Sequence, residues 1–298
     1  MMSGHAKAEF PTGPSGPGPQ VIVDDAEFQR WVKLLEQRTG MVVAENRRQF
    51  LESNLRRRLS ELGYNSLARY QAEQLTGPRG AVEWAVLVDR LTVHETRFFR
   101  HPPSLALLRE RILPEFVKRA EADQEFHAWS VGCATGEEPY TLAMIIDRFA
   151  RESQARHQRP FRYAVTGSDV SRPALKAATE ASYPQARQDE IPNVYRSYCQ
   201  PHASGGFTLG AALRARVNFA ALNLLEVDRQ PMSGLELIYC QNVLIYFPRA
   251  RRHEFLDHLI ASLRPGGCLI IGPGEVTTWH HPQVQRIEDR RALVYRRV

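Results

Sequence analysis

Four stretches of this 298-residue chain hold side chains able to do chemistry. Residues 91–100 read LTVHETRFFR and gather His94, Glu95, Thr96 and Arg100 around the adjacent Phe98 and Phe99. A guanidinium clamps a carboxylate through paired hydrogen bonds, which a lysine does less well. Residues 130–138, SVGCATGEE, follow an apolar run and open a helical one. Gly132, Ala134 and Gly136 let the backbone turn tightly and bring a ligand close to helix-terminal N–H groups. A plain strand-to-helix turn would use the same residues. Asp169 ends RYAVTGSDV, where an acid can hold ribose hydroxyls or cap the helix that follows. Beyond a further apolar run, YCQNVLIYF sets out Gln241, Asn242 and Tyr246. Taken alone, Tyr246 fits a packed aromatic better than a catalytic residue.

The glycine loop and Asp169 together suggest a nucleoside-bearing cofactor. Asp169 lies well beyond the roughly 20 residues that separate loop and acid in a dinucleotide fingerprint. Glu137 and Glu138 at the loop's helix would repel a pyrophosphate. They suit a cationic ligand such as S-adenosylmethionine.

The elements that must position these groups can be read from periodicity. Residues 23–91 read as an all-α domain of four short helices. DDAEFQRWVKLLEQRTG repeats apolar residues at i, i+3 and i+4 and closes on Gly40, and AENRRQFLESNLRRRLSELG does the same up to Gly63. Residues 92–122 read as a linker with a connecting helix over 104–120. From 123 to 298 short apolar strands alternate with amphipathic helices, the mark of βαβ units and a parallel sheet. The helix at ARRHEFLDHLIASLRPGG is taken to run to the glycines. Residues 184–216, with Gly205-Gly206 among aromatic and polar neighbours, break the alternation and read as a small insertion containing a hairpin.

Composition sets outer limits. Hydrophobic residues make up 43% and charged residues 24% of the chain, ordinary for a soluble globular protein. No apolar run nears the roughly 20 residues of a membrane-spanning helix. Residues 1–22 are rich in Pro, Gly and Ser, lack the apolar centre of a secretory signal, and read as a disordered tail. Cys133, Cys199, Cys240 and Cys268 are widely spaced with no C-x-x-C pair. That argues against a metal site or disulfide framework and for a reducing cytoplasm. The formal charge of +6 points to an acidic partner surface and is weak evidence for nucleic acid.

HETRFFR, CATGEEPYTLAM, SDVSRPALKAA, NLLE, CQNVLIYF and LRPGGCLIIGPGE occur in that order. From about Asp24 to the C-terminus the chain resembles the CheR family of chemotaxis-receptor glutamate methyltransferases. The resemblance implies an α/β, Rossmann-like S-adenosylmethionine-dependent methyltransferase domain with a small β-insertion, preceded by an all-α N-terminal domain. It implies a cytoplasmic, monomeric enzyme that methylates glutamates on the cytoplasmic helical domain of chemoreceptors. The products would be glutamyl methyl esters, used in chemosensory adaptation, and S-adenosyl-L-homocysteine. By position, His94, Thr96, Arg100, Gly132, Glu137, Gln241 and Asn242 should meet the cofactor, Asp169 its ribose, and Asn223 and Leu224 its adenine. Arg100 and Tyr246 should orient the reacting carboxylate. The resemblance makes Arg47, Arg48, Arg56 and Arg57 a docking face for an acidic receptor, although helical arginines interleaved with Glu45, Glu52 and Glu61 also fit a solvated face of i, i+4 pairs. In some relatives the insertion binds a peptide tethered at the receptor C-terminus by strand addition.

Two departures stand out. His94 replaces the family's usual asparagine and could make cofactor binding sensitive to pH. Gln241 replaces its usual arginine. Both keep polar capability and suggest a divergent branch, for example one serving an alternative chemosensory system. They also motivate a rival reading, a non-catalytic S-adenosylmethionine-binding adaptor. A nucleic-acid methyltransferase is a weaker rival, because NVLIYF lacks the [D/N]-P-P-[Y/F] run that holds a base amine. Neither nucleic acid nor membrane insertion is expected.

Overall fold

The structure is a computed structural model that describes residues 23–298 except 44, 79, 93–94, 121–123, 158–160, 203–204, 230–231, 277 and 291. The expected tail at 1–22 and the candidate His94 lie outside the described residues. Helix α1 (Asp25–Thr39) begins where the Asp24 carboxylate accepts the Glu27 N–H at 2.7 Å. It stops at Gly40, whose φ of 74° is a left-handed cap that favours glycine. A 3-10 turn leads into α2 (Arg48–Leu62), which ends the same way at Gly63. Next, α3 (Leu67–Tyr70) widens into a π-turn, and α4 (Gly80–Leu91) completes the set. Leu51, Leu55 and Leu59 recur every fourth residue of α2 and are fully buried with Trp31 and Tyr70, whose rings stack 6.1 Å apart. The apolar spacing in the sequence thus faces one core. Arg58 turns into that core and donates to both Glu83 oxygens. Burial alone would raise the Glu83 carboxyl, but Arg58 and the Tyr70 hydroxyl hold it below its usual range.

The connecting helix is α5 (Pro102–Leu107), continued through a π-turn into α6 (Leu113–Arg119). It starts slightly earlier than the sequence suggests because His101 caps it by accepting the Ser104 N–H at 3.3 Å. Chain order then gives β1 (Phe126–Val131), α7 (Glu137–His157), β2 (Tyr163–Asp169) and α8 (Arg172–Glu180). The insertion carries β3 (Ser182–Tyr183), β4 (Cys199–Pro201) and β5 (Phe207–Leu209) and leads through α9 (Ala211–Arg214) to β6 (Val217–Ala221). The chain finishes with β7 (Leu235–Cys240), α10 (Arg249–Ser262), β8 (Leu263–Ile271), β9 (Val284–Ile287) and β10 (Leu293–Arg297).

The large sheet has the order β6-β2-β1-β7-β8-β10-β9. Its first five strands are parallel, but β10 pairs antiparallel with both β8 and β9. The parallel sheet expected from the βαβ alternation is thus extended at the C-terminal edge by antiparallel strands, where a hairpin needs no crossover helix. The last helix also ends before LRPGG, which already belongs to β8. In the insertion β3, β5 and β4 form a three-stranded antiparallel sheet, one strand more than a hairpin. Gly205 and Gly206, both at φ 88°, turn β4 into β5. Among the described residues no helix is long and apolar enough to cross a membrane.

The parallel strands all point the same way. Their carboxyl ends deliver the glycine loop after β1, Asp169 on β2, Asn223 after β6 and Gln241 after β7 to one edge. Ligands of open α/β sheets bind at that edge, where strand order reverses on either side of β1.

Candidate functional site

That edge faces the helical domain across a cleft of about 1220 Å³, open mouth included. Thr96, Arg100, Gly132, Asp169, Asn223, Leu224, Gln241, Asn242 and Tyr246 line it, and Arg47 stands at its helical side. Among the described residues, one expected at the cofactor is absent from the lining. Glu137 is buried facing the insertion, where it accepts the Thr135 hydroxyl at 2.7 Å and lies 4.0 Å from Arg187. Its neighbour Glu138 lines the cleft instead and accepts the Ser130 hydroxyl at 2.7 Å. The helical period explains the exchange. Glu137 shares its face of α7 with Tyr140 and Thr141, which bond to α8 and to the 91–100 loop, and the next residue is turned about 100° away.

The glycine loop is held tightly to β2. Cys133 N–H donates to the Ser168 carbonyl at 2.9 Å, and Ala134 N–H to Asp169 Oδ2 at 2.8 Å. Gly132, Ala134 and Gly136 all have positive φ, at 68°, 46° and 94°. A Cβ on Gly132 would fall 2.5 Å from Val243 Cγ2. Gly132→Ala adds that overlap to the roughly 1–2 kcal/mol cost of a left-handed non-glycine residue. We expect it to lower the melting temperature by about 2–4 °C per kcal/mol and to weaken S-adenosylhomocysteine binding in a calorimetric titration. Wild-type values for both would contradict the close packing.

Asp169 does more than line the cleft. Its second oxygen accepts the Ser171 N–H at 2.9 Å, while Ser171 itself caps α8 by accepting the Ala174 N–H at 3.1 Å. The cap reading of Asp169 thus passes to Ser171. An ionised carboxylate has about four acceptor positions, so each Asp169 oxygen keeps one for a ligand.

The other wall comes from residues 95–100 and the turn after β7. Arg100 Nη1 donates to the Glu95 carbonyl at 2.9 Å, and Arg100 forms no salt bridge among the described residues, although its charge reaches Glu138. The Thr96 hydroxyl, in a residue only 8% exposed, likewise has no protein partner among them. Asn242 sits at φ 60°, a conformation asparagine tolerates better than most residues. Its turn is built on Glu275, whose buried carboxylate accepts Leu244 N–H at 2.9 Å and Gly272 N–H at 2.8 Å. Burial raises the Glu275 carboxyl, and backbone N–H groups of Gly272, Asn242, Ile245 and Val243 counter it. Gln241 donates to Ser104 at 3.2 Å, so the connecting helix fixes this side chain at the cleft wall.

The helical domain closes the cleft. Asn223 Nδ2 donates to the Arg38 carbonyl at 3.2 Å, Val42 N–H donates to the Tyr246 carbonyl at 2.8 Å, and Ser171 bonds to Asp89. The Asn223 amide, expected beside adenine, is therefore committed to the domain joint. The four arginines expected to dock on a partner divide in two. Arg48 pairs with Asp25, Glu45 and Glu52, Arg56 with Glu52, and Arg57 with Glu61, which is the solvated-face pattern. Arg47 has no carboxylate partner among the described residues and lies 5.3 Å from the Phe50 ring and 5.7 Å from the Tyr246 ring.

This lining fits S-adenosylmethionine. Leu91, Leu222 and Leu224 supply apolar lining, and Asp169 and Glu138 supply carboxylates for hydroxyl and cationic groups. From sequence, Glu138 is read together with Glu137 as suiting a cationic ligand but not as the cleft-lining member of the pair, and Glu275 and the joint residues Arg38 and Asp89 are not singled out. The GEE pair and the terminal GPGE carry Glu138 and Glu275 in plain view, but only the three-dimensional phase separates Glu138 from Glu137.

Comparison with known proteins agrees. The CheR methyltransferase all-alpha domain matches residues 26–92, and the CheR methyltransferase SAM binding domain matches residues 94–293. Chemotaxis protein methyltransferase 1 of Pseudomonas aeruginosa is 29% identical over 91% of this chain and 98% of its own. The chemotaxis protein methyltransferase of Escherichia coli is 30% identical over 86% of each chain. Among solved structures, the DszA carbon methyltransferase matches with a TM-score of 0.34 and 15% identity over 83% of this chain and 51% of its own, a likeness too slight to carry any argument. With both domain models matched in order along nearly the whole described chain, and with a cleft that fits the cofactor, the chain belongs to the CheR methyltransferase family and its cofactor is S-adenosylmethionine.

Proposed function

We propose that the protein methylates glutamate side chains on the cytoplasmic helical domain of chemoreceptors, forming glutamyl methyl esters. The observation that carries this reading is Arg100, a cleft-lining guanidinium that bonds to the Glu95 carbonyl and forms no salt bridge among the described residues. S-adenosylmethionine, when bound, supplies the methyl group. A glutamate has an ordinary pKa of about 4.3, so the attacking oxygen is already anionic at neutral pH and needs no general base. Attack merges opposite charges, so a cleft that excludes water and fixes the line of approach provides the catalysis. Arg100 holds the substrate carboxylate through the guanidinium edge not bound to Glu95. The Tyr246 hydroxyl, without a partner among the described residues, orients the other oxygen.

Arg47, stacked over Tyr246 at the cleft, is the docking cation for an acidic receptor helix. Arg48, Arg56 and Arg57 contribute less because carboxylates of their own domain already neutralise them. Arg47→Glu should raise the apparent KM for receptor several-fold, more than Arg56→Glu or Arg57→Glu; equal, small effects from all three would contradict the ranking. The proposed substrate places the enzyme in the cytoplasm. Incubation with methyl-labelled cofactor and receptor cytoplasmic fragments, followed by peptide mapping, tests the reading. Label on glutamates, lost when they are replaced by alanine, supports it. Cofactor binding with no receptor labelling would indicate an adaptor, and label on nucleic acid the other rival.

A further inference from the structure

We propose that Arg187 and Glu190 of the insertion are positioning residues for methyl transfer, holding the loop that presents Thr96 and Arg100. The inference rests on methyl transfer at this cleft and not on which group receives the methyl. Residues 95–100 form neither helix nor strand, so side chains must satisfy their backbone. The Thr96 carbonyl accepts from Arg187 Nη1 at 2.9 Å, and Phe98 N–H donates to Glu190 Oε2 at 2.9 Å. Phe99 N–H donates to the Thr141 hydroxyl at 3.1 Å, and the Glu95 carbonyl takes Arg100 itself. Arg187 and Glu190 bond to each other at 2.8 Å, on the single 3-10 turn Gln185–Glu190.

The loop alternates between two environments. Thr96 and Arg100 line the cleft. Between them, Phe98 packs edge-on to Tyr183 at 4.9 Å, and Phe99, at φ 52°, packs on Tyr195 at 5.0 Å. Tyr183 also donates its hydroxyl to the Thr135 carbonyl of the glycine loop at 2.9 Å. The insertion thus grips both walls of the cofactor cleft from behind. Aromatic packing fixes where the loop lies. The Arg187–Glu190 pair fixes its backbone rotation, and hence the aim of Thr96 and Arg100. Removing either partner leaves a buried backbone group unpaired without emptying the aromatic contact.

The test uses the full chain with Arg187→Ala, Glu190→Ala, both together, and Glu190→Gln, which keeps an oxygen for Phe98 N–H. Turnover on receptor fragments, S-adenosylhomocysteine affinity by calorimetry and melting temperature are measured for each. A small misplacement of reacting groups can cost up to about 100-fold; we expect each alanine variant to lose about ten-fold or more in kcat and several-fold in cofactor affinity. KM for receptor should change little, and the melting temperature should fall by only a few degrees, the cost of one unpaired backbone group. The double variant should be no worse than the singles, because the pair acts as one unit, and Glu190→Gln should recover most of the loss. Wild-type kcat and affinity in both alanine variants would overturn the proposal. So would losses that track melting temperature and that Glu190→Gln does not repair. If the receptor proves not to be the acceptor, the calorimetric arm decides alone: unchanged affinity in both variants overturns the brace.

Discussion

Arg100→Ala is expected to reduce methyl transfer by about 100- to 1000-fold, the usual cost of losing one preorganised charge-stabilising donor, with an unchanged melting temperature. Arg100 is half-buried, contributes no ion pair to the fold among the described residues, and makes one local bond to the Glu95 carbonyl. Its deletion therefore removes little folding energy. In the proposed reaction it has two tasks, gripping the substrate carboxylate and setting the oxygen in line with the methyl group. Arg100→Lys should recover only part of the rate, because an ammonium restores charge without the paired geometry. Single-turnover methyl labelling at saturating cofactor checks this, and near-normal turnover in Arg100→Ala would remove it from the reaction.

The second large effect concerns Glu138. Burial at the cleft floor pushes its carboxyl up to about 8, with the Ser130 hydrogen bond and the Arg100 charge pulling the other way. The ligand-free site therefore holds a largely neutral Glu138 at pH 7. A cationic cofactor favours the ionised form, so its affinity should rise with pH by up to about ten-fold per unit, levelling near pH 8. Binding at pH 7 should release a proton, seen as a dependence of calorimetric heat on buffer ionisation. Glu138→Gln should flatten the profile and, at pH 8, weaken binding by about 10- to 100-fold, the range of a charge-assisted hydrogen bond. The stability effect has the opposite sense. The unfolded chain loses this proton above the ordinary value of 4.5 while the fold keeps it to about 8, so the ligand-free protein loses stability as pH rises across that window. Glu138→Gln should melt above wild type at pH 8 and level with it below pH 4.5. Burial also raises Glu137 and Glu275, so the substitution should reduce the stability slope without abolishing it. A wild-type binding profile flat between pH 6 and 8 would exclude Glu138 as the cation's partner.

Much of this site was legible in the chain. Asp24, Gly40 and Gly63 mark helix ends because capping chemistry is local. The small residues of SVGCATGEE, and Asp169 at the end of an apolar run, announce the cleft because strand ends must deliver them to one edge. What stayed hidden depends on distant contacts. VNFAA reads poorly as a strand because β6 is a half-exposed edge strand, and β9 and β10 owe their direction to a hairpin return. Asn223 is drawn into the domain joint by Arg38, far away in sequence. The pairing of Arg56 with Glu52 and of Arg57 with Glu61, by contrast, was open to reading from their i, i+4 spacing. Arg187 and Glu190 carry no motif at all, since their partners are backbone atoms of another segment.

The central claim, that this cleft esterifies glutamate, is tested most directly by the fate of the transferred methyl group. Receptor cytoplasmic fragment labelled by the wild-type protein should release its label as methanol in mild base, and fragment treated with Arg100→Ala should release little. Label that stays on the protein through base treatment, or that resides in nucleic acid, would contradict it.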